Sequence, residues 1–282
     1  MSNTPSSPDG RPPRIQHVSF ADLLRLEPHG PDTFVGIAVS YPWGPRLFGG
    51  QVLAQALRAA AHTIDDDRPV HSLHAYFIRP GTPDEPIRYE VERLRDGRSF
   101  GTRAVVARQS SGAILSMSVS FQAPESDVDV QQIAMPGDAG SPDNPELEHT
   151  GWGAMLHRRR FASGPGRAAH WIRLDDAMGD DRVLQGCGLA FASDAAPSSA
   201  ARSSHPESHL DTRDRGLFVG ASLDHAIWFH RPSDVGTWHW FDMASHGLVG
   251  ARSLVIGNVF TEAGVHVATV AQEVLLRRSR NA

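Results

Sequence analysis

The chain has 282 residues, 40% of them hydrophobic, and a formal net charge of −5. No apolar run approaches the roughly 18 residues needed to cross a bilayer, and no basic stripe marks a nucleic-acid partner. All 27 basic residues are arginine and Cys187 is the only cysteine, which excludes a Schiff-base or Walker A lysine, an internal disulfide framework and any CxxC site.

The opening MSNTPSSPDGRPPR is rich in Pro and Ser and lacks the apolar segment of a secretory signal, so residues 1–17 are expected to form a disordered tail of a soluble, cytoplasmic protein. Next, Val52, Leu53, Ala56, Leu57, Ala60, Ala61 and Ile64 in FGGQVLAQALRAAAHTI form a helical stripe that ends before Asp65-Asp66-Asp67. Strands are expected at 71–78, 87–94, 103–109 and 113–122, with Asp96-Gly97 as a hairpin turn. A helix followed by consecutive antiparallel strands is an α+β arrangement, not βαβ alternation. Residues 123–150 are rich in Asp, Pro, Gly and Ser without periodicity and read as a linker. Beyond it come a strand at 170–174, a helix at 180–194, a polar loop at 195–216, and strands at 219–230, 237–244, 250–260 and 265–275.

Two stretches nearly repeat: SLHAYFIRP at 72–80 and SLDHAIWFHRP at 222–232. Phe77, Arg79 and Pro80 fall on Phe229, Arg231 and Pro232 at an offset of 152; Gly101 and Arg103 fall on Gly250 and Arg252 at 149; Gln122 falls on Gln272 at 150. Ordered matches on corresponding strands favour a tandem duplication, with units at 18–122 and 151–278.

A buried helix against an antiparallel sheet, twice in one chain, resembles a double hot dog. The motifs FGGQVLAQAL, HSLHAYFIRPG, YEVERLRDGRSF, HWIRL, FASD, SLDHAIWFHRP and TVAQE are similar, in order, to those of the type II acyl-CoA thioesterases, over residues 18–280. That resemblance implies hydrolysis of fatty acyl-CoA to a free acid and CoA by a directly attacking water, with neither cofactor nor metal. The water-holding acid, hydroxyl and amide of the family map onto Asp194, Ser222 and Gln272. A homo-oligomer is expected, with no nucleic-acid or membrane partner.

Each of these residues also has a plainer reading. Asp194 shares a helical stripe with Val183, Cys187, Ala190 and Phe191, where a buried carboxylate is costly unless solvated or paired; a helix-end turn residue is the alternative. Ser222 by itself is an edge or turn serine, although the family position often holds threonine and so keeps the hydroxyl. Gln272 among Ala268, Val270 and Val274 is either the site amide or a group satisfying backbone. Gly49 and Gly50 precede a helix whose N-terminus suits an oxyanion, or simply allow close helix packing. Asp224 shares a strand face with Ser222 and is a candidate support, whereas Asp224 and His225 point to opposite faces and form no dyad. The histidines lack HExxH spacing. After Asp194 the chain runs Ala195-Ala196-Pro197 into a polar loop, a departure from the family beside the expected base. A catalytically weak acyl-thioester binding protein is the competing function; a hot-dog hydratase would need a His about five residues after its Asp, and none precedes His205.

Overall fold

The computed structural model describes residues 18–41, 46–65, 67–151, 155–211 and 216–279; the tail expected at 1–17 lies outside them. A one-turn helix α1 (Phe20–Leu23), capped by the Ser19 hydroxyl, leads into short strands β1 (Glu27–Pro28) and β2 (Thr33–Gly36). Helix α2 (Gly49–Ala61) follows, then β3 (Val70–Phe77), β4 (Ile87–Asp96), β5 (Phe100–Gln109) and β6 (Gly112–Gln122). Strands β7 (Glu148–Gly151), β8 (Leu156–Phe161) and β9 (Arg167–Leu174) precede helix α3 (Arg182–Ser193). The chain closes with α4 (Pro197–Ser203), a 3₁₀ turn at Ser208–Leu210, and strands β10 (Phe218–Ser222), β11 (Asp224–Phe229), β12 (His239–Val249), β13 (Arg252–Thr261) and β14 (His266–Arg278).

Among the described residues the strands form one antiparallel sheet in the order β1-β2-β4-β5-β6-β3-β11-β14-β13-β12-β9-β8-β7, with β10 also on β14. At its middle, β3 and β11 carry the two near-identical stretches and pair with each other. His74 lies opposite Ala226, residues that the offset of 152 makes equivalent. The two stretches therefore meet as the two faces of a two-fold dimer interface would, and the strand order reads alike outward from that seam.

Register corrects part of the internal alignment. Tyr89 pairs with Ala107, and Phe241 with Val259; Leu73 pairs with Val119, and on β14 the residue in register with His225 is Gln272, next to the Ala226–Ala271 pair. The offset thus stays at 152 to 153 across the sheet. Val119, not Gln122, occupies the place of Gln272, and Arg103 matches Val255, not Arg252. Hydrogen-bond register is a choice among distant partners, which identical residue types in a linear alignment do not report.

Helix α2 is buried on nearly every side because its small alanines let neighbouring elements approach. Of its two fully buried glutamines, Gln55 is satisfied at both ends, its amide donating to the Leu23 carbonyl at 2.8 Å and its oxygen accepting the Tyr89 hydroxyl at 2.7 Å, whereas the Gln51 amide donates to the Ile37 carbonyl at 2.9 Å and its side-chain oxygen has no partner among the described residues. Two further expectations are corrected. The loop expected at 195–216 contains α4, whose Pro197, Ala200 and Ala201 are buried. The linker expected at 123–150 ends in β7 and is clipped to later strands, with Asp138 bound by Arg167 at 2.6 Å and the Ala139 carbonyl by the Trp171 indole at 3.1 Å.

Candidate active site

Asp181 starts α3: its carboxylate accepts from the Val183 and Leu184 N–H groups. Asp194 is the C-cap at the other end. The helix therefore delivers this carboxylate into the interior, where it is 6% exposed. Its position beside the start of α2 makes the two helices antiparallel. The Gly50 N–H of α2 donates to Asp194 Oδ2 at 2.9 Å, and the Ser222 hydroxyl donates to Oδ1 at 3.1 Å. The Gln272 amide nitrogen in turn donates to Ser222 Oγ at 2.7 Å. The acid, hydroxyl and amide named from sequence, scattered over 79 positions, meet at one point.

Burial pushes the Asp194 carboxyl up to about 6; the Ser222 hydroxyl, the Gln272 amide and the Gly50 N–H pull the other way. The C-terminus of its own helix disfavours the anion, while the N-terminus of α2 favours it. Each such effect is worth roughly 0.3 to 1 kcal/mol, so desolvation decides the sign. A carboxyl with a pKa near 6 is ionised and still basic at neutral pH, which is what a general base requires.

The glycines divide their work. A Cβ on Gly49 would stand 2.6 Å from Asp194 Oδ2 and 2.9 Å from the Phe77 ring, and one on Gly50 would collide with the Phe191 carbonyl. Both must be bare for α2 to reach the carboxylate. The Gly50 N–H is spent on Asp194, so of the two oxyanion candidates only the N–H of Gly49 remains, at a helix start where Phe48 supplies no side-chain cap.

Asp224 does not share a face with Ser222. Ser222 pairs with Val274 but Ala226 with Ala271, so the register slips by one at Leu223, and the bulge turns the next side chains over. Asp224 Oδ1 instead accepts the Glu273 N–H at 2.6 Å, tying β11 to the residue after Gln272. The same bulge brings His225 to the side of Ser222. Its ring is 1% exposed, with Nδ1 2.6 Å from Gln272 Oε1 and Nε2 2.8 Å from Ser193 Oγ. Sequence reasoning missed His225 and Ser193. The only signal was a histidine in an apolar strand, which periodicity assigns to the wrong side of the bulge. Cys187 is buried within α3, its thiol pushed up to about 12 by desolvation, as suits a small packing residue.

A buried carboxylate, a hydroxyl and an amide gathered around one point, beside a helix N-terminus, are the kinds of group that hydrolytic chemistry needs, and they sit on a predominantly antiparallel scaffold. The scaffold matches a hot-dog-fold protein from Alicyclobacillus acidocaldarius (TM-score 0.74, 18% identity, 92% of this chain and 97% of that one), a likeness that speaks to fold alone. Residues 39–122 match the acyl-CoA thioesterase N-terminal domain and residues 155–275 the acyl-CoA thioesterase domain. Acyl-CoA thioesterase 2 of Haemophilus influenzae is 34% identical over 83% of this chain and 88% of its own length. The crystal structure of acyl-CoA thioesterase II TesB2 from Mycobacterium marinum superposes with a TM-score of 0.78 at 35% identity, covering 93% of this chain and 98% of that one. The chain belongs to the type II acyl-CoA thioesterase family.

Proposed function

We propose that this protein hydrolyses fatty acyl-CoA thioesters to a free acid and CoA, with one active site built around Asp194. The observation that carries the reading is the buried Asp194 carboxylate, raised to about 6 and bound by Ser222 and Gly50, with Gln272 on the same hydroxyl. Asp194 takes a proton from a water that Ser222 and Gln272 orient; the water oxygen attacks the thioester carbonyl carbon. The oxyanion that forms is received by the Gly49 N–H, and collapse of the tetrahedral intermediate expels CoA thiolate, which takes up a proton. Asp224 supports the site by holding β11 to β14. No metal or cofactor takes part.

We read the chain as two tandem hot-dog units, 18–122 and 151–278, each a long helix on an antiparallel sheet, with 123–150 connecting them. The seam of equivalent residues His74 and Ala226 supports this reading. Homo-oligomeric assembly and a cytoplasmic location are proposed from the family resemblance. A thiol-release assay over short- to long-chain acyl-CoAs tests the activity. Release by the wild type and its loss in Asp194→Asn is the expected result; acyl-CoA binding without release from any chain length would favour the acyl-thioester binder.

A further inference from the structure

The Asp194 carboxylate is the last acceptor in a chain of side chains that reaches two residues further than the family motif. A neutral imidazole carries one N–H and one bare nitrogen. Gln272 uses its amide nitrogen on Ser222, so its Oε1 faces His225 as an acceptor and Nδ1 must carry the hydrogen. Nε2 is then bare and accepts the Ser193 hydroxyl proton. Every donor points one way: Ser193 to His225, His225 to Gln272, Gln272 to Ser222, Ser222 to Asp194.

We infer that His225 is a positioning residue, a buried neutral imidazole whose Nδ1–H holds the Gln272 amide with its nitrogen toward Ser222 and so commits the Ser222 hydroxyl to the Asp194 carboxylate. This rests on the reading of Asp194 as base. Its physical content is an amide flip. Without a donor at position 225, the Gln272 carbonyl is free to turn to Ser222 and accept its hydroxyl, leaving the carboxylate one donor short and an amide hydrogen badly placed for the water. The Ala190 carbonyl, 3.0 Å from Ser193 Oγ, offers that hydroxyl an alternative acceptor, so in the reversed chain only the Asp194 carboxylate loses a donor, and the ring tautomer tells the two apart. His225 stays neutral across the working range, because burial pushes its pKa down to about 4. The groups facing Asp194 are Gly50 from α2, Ser222 from β10 and Gln272 from β14; the charged residue packed at this end of α3 is Arg158 of β8, whose guanidinium donates to the Ala195 carbonyl at 2.9 Å.

The test compares pH profiles of kcat/KM for wild type and His225→Phe, with Asp194→Asn as the control on the base itself. Expected for His225→Phe is a fall in kcat of about 10- to 100-fold with KM changed less than about threefold, within the range for a mispositioned group. The acid limb should also move upward from its wild-type position, since a carboxylate losing a donor binds its proton more tightly. A folded variant with unchanged kcat and an unmoved acid limb overturns the inference while leaving the base assignment intact; activity in Asp194→Asn overturns the base assignment instead. Should the phenylalanine variant fail to fold, 15N spectra of histidine-labelled wild type decide, with the His225 signals assigned by their loss in His225→Gln. The Nδ1–H tautomer at pH 8 is expected, and an Nε2–H tautomer or a charged ring overturns the inference.

Discussion

The antiparallel helix pair has two ends, and the chain treats them differently. Where α3 ends and α2 begins, Asp194, Ser222, His225 and Gln272 form a continuous polar network. Where α2 ends and α3 begins, register puts Val70, Leu73 and Val119 in the places of Ser222, His225 and Gln272, and the C-cap equivalent to Asp194 is His62. There Arg103, 1% exposed, closes the end of the helix: it donates to the Thr63 hydroxyl and carbonyl at 2.8 Å each and to Asp96 at 2.5 Å. A cation at a helix C-terminus is stabilised by the helix dipole; an anion there is not. A cavity of about 270 Å³ opens at this second end, lined by Val70, Gln122, Arg182 and Gln185 among others, although none of the polar groups of the Asp194 network has a counterpart there among the described residues. One backbone plan can thus carry a buried guanidinium clamp at one end and a carboxylate network at the other, and the choice lies in a few side chains.

The comparison breaks most sharply at Asp194. Asp194→Asn should lower kcat by about 10³-fold or more while acyl-CoA affinity changes little, because the amide keeps the shape and removes the base. Its effect on stability should have the opposite sign. The native carboxyl titrates near 6 and an unperturbed one at 3.8, so the native state holds its proton through that window; the stabilisation is complete below it and lost as pH rises through about 6. Ionisation of the wild type in the folded state then costs on the order of 3 kcal/mol, at about 1.4 kcal/mol per unit. Thermal melting should show Asp194→Asn gaining on wild type between pH 4 and pH 8, and a constant difference would contradict the raised pKa.

Gln272→Ala should reduce kcat by about 10²-fold, within the range for removing a positioned donor, and Gln122→Ala by less than about threefold, since it lies three residues from the equivalent position. Equal losses in well-folded proteins would mean that both ends do chemistry. Arg103→Leu sharpens the contrast from the other side: it leaves Thr63 and Asp96 without their partner and should destabilise the fold by about 2 to 4 kcal/mol in denaturant titration, with kcat within about twofold of wild type. Smallest of all, chelators should leave thiol release unchanged, because the site offers one carboxylate, a hydroxyl, an amide and an imidazole whose two nitrogens are both hydrogen-bonded, too few free donors for a bound ion; restoration of lost activity by added zinc would refute this.

Local patterning was sufficient to find α2 and α3 and most of the long strands; Asp194, Ser222 and Gln272 were singled out by the family resemblance of their motifs, since the residues alone left plainer readings open. Helical stripes and alternation depend on residues a few positions apart, so they are legible in one dimension. The tertiary structure decided what depends on distant partners. Gln122 looks like the twin of Gln272 in a linear comparison, yet the pairing of Leu73 with Val119 gives that place to a valine. Asp224 alternates with Ser222 on paper, yet the slipped register at Leu223 turns His225 inward instead. A bulge and a strand register are set by which hydrogen bonds close across the sheet, and a shift of one residue exchanges the two faces of a strand. That exchange turns a histidine that alternation places away from Ser222 into a neighbour of the site amide, and no window of sequence contains it.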